Sequence, residues 1–148
     1  MADRPGAPAV ALTVIQGGRA KAYRPIPRND RRRALDSALA AWARGDWFEA
    51  HELLEPAWMG TSDDLERELY QGLIKLAAAY VHRARGNRLG MTKNLAGAER
   101  RLARVAAERP AAEGFDVPAL VSAVRARLAS RDIADPAAGP PVLARKSR

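Results

Sequence analysis

The sequence predicts an all-α fold, a five-helix bundle of antiparallel helical hairpins with flexible termini. Three observations predict it. Alanine, leucine and arginine dominate the 148 residues while β-branched residues are few and scattered, a balance that favours helix over strand. Apolar residues return at three- and four-residue intervals through the middle of the chain, the period of a helix with one buried face. The tetrad Ala43-Arg44-Gly45-Asp46 recurs as Ala84-Arg85-Gly86-Asn87, and Leu35, Ala38, Leu54 and Ala57 align with Leu76, Ala79, Leu95 and Ala98. Each copy reads as helix, glycine stop, capping residue, helix. The chain is therefore expected to stack tetratricopeptide-like hairpins, at a longer period and without that class's consensus.

Taken in order, residues 1–28 hold Pro5, Pro8, Pro25, Pro27 and the Gly17-Gly18 pair and carry no helical period, so they read as an extended N-terminal arm. Ala9 to Ile15 is the β-prone stretch within it, placed to lie along the bundle or against a partner. The helical domain is expected over 29–131. Asn29 or Asp30 caps a first helix to Arg44, with Leu35, Ala38, Leu39 and Trp42 as its apolar stripe. Asp46 and Glu49 form a capping box that starts a second helix. Pro56 is expected to kink or end that helix and to take Trp58 off its regular wheel. A third helix, from Asp63 to Arg85, is apolar over most of its circumference and so needs neighbours on several sides. Asn87 caps a fourth helix to Glu108, and Asp116 caps a fifth from Val117 to Ser130. Residues 132–148, with the run Pro-Ala-Ala-Gly-Pro-Pro, read as a disordered basic tail.

Composition narrows the function. With no cysteine, the chain has no disulfide scaffold, thiol nucleophile or thiolate zinc site, which fits a reducing compartment. No apolar run approaches the roughly 20 residues of a membrane helix, and the start of the chain does not read as a secretory signal, so a cytoplasmic location without membrane contact is expected. The net charge of +8 and pI near 10.7 invite nucleic acid. Much of that charge lies in Arg24, Arg28 and Arg31 to Arg33 and in Arg145, Lys146 and Arg148, with no interleaved aromatics to stack bases. Weak, non-specific nucleic-acid binding through basic tails is the expectation, with no sequence-reading motif behind it.

The chemistry concentrates between Asp46 and Trp58. At about 100° per residue, His51 falls inside the stripe of Trp47, Ala50, Leu54 and Trp58, and Glu55, one turn on, can meet it. Glu49 and Glu52 lie farther round. Three readings remain open: a packed histidine satisfied by a carboxylate or carbonyl, a metal ligand beside Glu55, or a general base oriented by that carboxylate. The pair His51-Glu52 resembles the start of a zinc-protease motif, but position 55 is Glu and the motif is absent. On the third helix, Gln71, Lys75 and His82 share a narrow polar strip with Glu68. If that strip faces the second helix, His51, Glu52 and Glu55 converge with Gln71, Lys75 and His82; if not, it is a solvent face.

The segments Trp47 to Trp58 and Tyr70 to Asn87, followed by Leu95 and Ala98, resemble the small helical family catalogued as domain of unknown function 309, over about residues 30 to 106. The resemblance implies an all-helical bundle. It also implies that Glu49, His51, Glu52, Glu55, Trp58, Gln71, Gly72 and His82 occupy the family's characteristic positions. Pro56 departs from the family pattern, which continues as helix there. The family carries no assigned reaction, so the resemblance names a fold and leaves the activity open.

Two expectations about function follow. The first is a non-enzymatic binding or interaction module that associates with a protein partner or with itself. The alternative is a metal- or small-ligand-binding pocket, with hydrolase-type chemistry around His51, Glu55 and His82. Its lining candidates are Glu49, His51, Glu52, Glu55, Trp58, Gln71, Lys75 and His82, and a divalent metal is the cofactor that such a set allows.

Overall fold

The computed structural model describes residues 13–16, 19–22, 24–130 and 132–146. Five helices carry the fold: α1 (Arg28–Ala43), α2 (Trp47–Met59), α3 (Asp64–Ala84), α4 (Arg88–Glu108) and α5 (Val117–Leu128). Each packs on the next in sequence, and α3 sits between α2 and α4, which supplies the neighbours that its broad apolar surface requires. No described helix is long and apolar enough to cross a membrane. A short antiparallel hairpin, β1 (Thr13–Gln16) with β2 (Arg19–Ala22), precedes the helices, and β1 begins inside the β-prone stretch. Residues 9–12 of that stretch lie outside the described residues.

The repeated tetrads make two matching turns. Gly45 and Gly86 adopt φ of +78° and +71°, a region that costs a side-chain-bearing residue but not glycine. The N–H of Gly45 donates to Trp42 O and that of Asp46 to Ala41 O; Gly86 and Asn87 donate in the same way to Arg83 O and His82 O. Both are Schellman closures, which satisfy the last carbonyls of one helix while the next begins. Asp46, Asp63, Asn87 and Asp116 then accept from backbone N–H groups of α2, α3, α4 and α5 respectively.

Three expectations change. α1 starts at Arg28 with Pro27 at the cap position and has no side-chain cap, because proline carries no side-chain acceptor; Asp30 sits inside the first turn instead. Pro56 does not end α2: the helix runs on to Met59, and Trp58 stays on the wheel, buried in the core with Ala50, Leu54 and Ala57. A proline three residues before the helix end removes one bond and leaves few to lose. Most substantially, residues 132–146 are not a disordered tail. They cross the bundle, accept hydrogen bonds from Trp42, Tyr80, Arg83 and Arg127, and bury Ala138 and Pro141. Arg145 of this segment pairs with Asp36 on α1 at 2.5 Å, so its charge is spent inside the molecule.

A buried ionic network ties the start of the bundle together. Glu66, 4 % exposed, receives Arg31 Nε at 2.7 Å and Nη2 at 3.1 Å, Thr61 Oγ1 at 3.1 Å and Tyr70 OH at 2.6 Å. Arg31 also reaches Ile26 O at 2.6 Å. The Glu66 bond holds the Arg31 guanidinium above its ordinary pKa, while burial first and Glu66 second push Tyr70 up.

Candidate functional site

His51, Glu52 and Glu55 come together on the edge of α2, at the border of its buried stripe. One ligand atom from each lies within 4.8 Å of the others. The spacing explains the geometry: i and i+4 stack one turn apart, and the long Glu52 side chain reaches back from i+1. His51 Nδ1 sits 3.4 Å from Glu52 Oε2, is shut off from solvent, and has no hydrogen-bond partner among the described residues. At that separation the carboxylate is near the ring without the alignment of a bond. Phe48, 59 % exposed, lies along the imidazole with planes 16° apart and centroids 6.3 Å apart.

The other candidates divide. Glu49 is exposed and serves the start of α2 through its backbone N–H, 3.2 Å from Asp46 Oδ1. Trp58 belongs to the core. The polar strip of α3 turns mainly toward α4, which is neither of the two alternatives left open, a solvent face or a face toward α2. Lys75 lays its stem beside Gly97, and Glu68 pairs with Arg101 at 2.6 Å and Arg104 at 3.7 Å. Burial, then Arg101 and Arg100, hold the Lys75 ammonium below its ordinary pKa. His82 packs against Gly90 with its Nδ1 3.1 Å from the Asn87 amide nitrogen, so the ring nitrogen accepts at the α3–α4 turn. Among the described residues, the group able to hold a metal contains Glu52 and leaves out His82. Gln71 is 3 % exposed, and its Oε1 has no hydrogen-bond partner among the described residues.

Sequence reasoning missed two features. Phe48 is three residues before His51 and so shares its face, a signal available from spacing alone. The aromatic cluster of Trp42, Trp47 and Tyr80, with centroids 4.8, 5.6 and 5.7 Å apart, joins three helices and becomes visible only when they are packed.

Fold and site together define an all-helical bundle with a His–Glu–Glu cluster carried on one helix. Residues 35–94 match the family model described as Domain of unknown function (DUF309), which bears out the resemblance over a shorter span than the motifs suggest. The matched stretch runs from the middle of α1 into the second turn of α4 and holds the whole cluster. No curated protein and no solved structure matches the chain.

Proposed function

We propose that this chain is a non-enzymatic binding module whose recognition element is the outer edge of α2, where His51, Glu52 and Glu55 take a divalent cation. The observation that carries the reading is the cluster itself, one ligand atom from each of His51, Glu52 and Glu55 within 4.8 Å of the others, beside an imidazole Nδ1 that has no hydrogen-bond partner among the described residues. One imidazole and two carboxylates suit zinc or manganese, and three protein ligands leave a coordination position open. A carboxylate or imidazole of a partner protein, or of a second copy of this chain, can fill that position while the exposed Phe48 ring supplies an apolar contact beside it. Hydrolase-type chemistry around His51, Glu55 and His82 has weaker support, because His82 is engaged at the α3–α4 turn. Weak polyanion binding would fall to Arg44, Arg85 and Arg88, exposed at the two matching turns, more than to the C-terminal segment.

Calorimetric titration of the full chain with zinc and with manganese tests the reading. One equivalent is expected to bind, and His51→Ala is expected to weaken it ~10-fold or more. Because only the neutral imidazole ligates, affinity should fall on acidification. Absence of binding, or equal binding by His51→Ala, contradicts the reading.

A further inference from the structure

The C-terminal segment lies in its groove with a one-sided chemistry. Its backbone donors are used up from 134 to 141. Ala134 N–H goes to Asp132 Oδ1, Asp135 N–H to Asp132 O, Ala137 N–H to Asp135 Oδ1, Ala138 N–H to Asp135 O and Gly139 N–H to Pro136 O. Positions 136, 140 and 141 are proline and have no N–H at all. What the segment presents outward is carbonyl oxygen.

Between 133 and 141 the bundle meets it with donors; farther on the direction reverses, with Lys146 N–H donating to Gly114 O and Arg145 donating to Glu113 O and Asp36 Oδ1. Arg83 Nε reaches Ile133 O at 2.6 Å and its Nη2 reaches Asp135 O at 3.2 Å. The Tyr80 hydroxyl lies 2.8 Å from Ala138 O and 2.9 Å from Gly139 O, Arg127 Nε donates to Gly139 O at 2.9 Å, and Trp42 Nε1 donates to Pro141 O at 2.9 Å. Asp135 and Gly139, at φ/ψ of −62/132 and −65/166, have polyproline backbone angles and flank a single 3-10 turn, Pro136–Ala138, closed by the Ala138 and Gly139 N–H bonds. Aromatic walls, side-chain donors aimed at carbonyls and a proline-stiffened chain are elements by which proteins bind proline-rich ligands.

The resident segment fills this groove incompletely. A cavity of about 360 Å³ remains between Trp47, Tyr80, Arg83 and Ile133, and another of about 290 Å³ lies where Pro141 to Leu143 pass Phe115 and Leu120. Val142 is 87 % exposed, so the segment leaves an apolar side chain in water beside unfilled space. Main-chain recognition makes few demands on side chains, beyond a small residue where Ala138 is buried and proline at 141.

We propose that the groove of Trp42, Tyr80, Arg83 and Arg127 is a receptor for proline-bearing protein segments that present a run of carbonyls around a single turn. Residues 133–141 hold it in cis and give way to a partner's segment that offers the same run of carbonyl acceptors. Tethering gives the resident segment an effective concentration on the order of millimolar, so it acts as a built-in competitor.

The test uses the full chain and a fluorescein-labelled peptide of residues 132–146, followed by anisotropy. Ala138→Asp puts a carboxylate where a methyl is buried and loosens the resident segment without altering the groove. The Ala138→Asp chain is expected to bind the peptide about tenfold or more tighter than the wild type. Adding Tyr80→Phe should cost about fivefold, the worth of one hydrogen bond, and a peptide with alanine at the three prolines should bind about tenfold more weakly. Equal affinity of wild type and Ala138→Asp, or indifference to Tyr80→Phe or to loss of the prolines, overturns the proposal. So does a dimer of the wild-type chain that Ala138→Asp abolishes, since the occupant would then be a second copy. If Ala138→Asp loses its helical circular dichroism, hydrogen exchange of the wild type decides. Excess peptide must speed deuterium uptake in 132–146, and unchanged uptake refutes the displacement.

Discussion

Glu66 has four hydrogen bonds from Arg31, Thr61 and Tyr70 and is the most heavily satisfied charge in the described residues' core. A buried charge is tolerated only when its partners repay its lost hydration, so removing one side of the pair strands the other. Glu66→Gln is expected to cost about 3 kcal/mol or more, read as a drop in the urea midpoint; a cost within a few tenths would mean that Arg31 finds another partner. Asp63 gives a pH prediction. Burial alone would raise its pKa, but the backbone N–H groups of Glu66 and Leu65 and the Arg109 guanidinium outweigh it and bring the value below the ordinary carboxylate range. A depressed folded pKa contributes stability above the unfolded value and loses it as pH falls through the folded one. Asp63→Asn should therefore flatten the fall in stability below about pH 4, and an unchanged acid limb would remove Asp63 from that role. At this scale the sequence places His51 beside Glu55, because one helix fixes both. It does not disclose the Arg31–Glu66 pair, whose members stand in the first turns of α1 and α3 and are separated by 35 positions along the chain.

Among the helices, the repeat is the feature most legible in the sequence. Ala43-Arg44-Gly45-Asp46 and Ala84-Arg85-Gly86-Asn87 close with the same two backbone bonds, because both need glycine at a left-handed position directly after a helix. A Cβ on Gly86 would meet nothing within 4 Å, so Gly86→Ala isolates the backbone cost, about 1–2 kcal/mol. Gly45→Ala should cost a similar amount, since its nearest neighbour, a Trp47 ring carbon at 3.7 Å, is in ordinary contact. Chemical denaturation of both variants checks this, and a neutral effect at either site would break the equivalence of the two turns. Pro56 misleads because the effect of a proline depends on its distance from the helix end, which composition does not give. The polar strip of α3 misleads for a different reason: a wheel gives the angle between residues but not which neighbour lies at that angle, and here α4 takes it.

Across the whole molecule, the bundle is organised around α3, with α2 carrying the His–Glu–Glu cluster on one side and α4 absorbing Lys75, Glu68 and His82 on the other. The path of the C-terminal segment is not legible in the sequence, since prolines, alanines and glycine have the composition of a linker. Its order comes from donors on α1 and α3 that are far away along the chain, joined by Arg127 of the preceding helix α5. The cation site can be tested most directly through the imidazoles, because the chain has only two histidines. Nitrogen-15 spectra of the side chains therefore contain two ring systems. One equivalent of zinc is expected to shift the ring nitrogens of His51 and leave those of His82 in place. Rings that both stay unmoved, or that move together, would contradict a cation held by His51, Glu52 and Glu55.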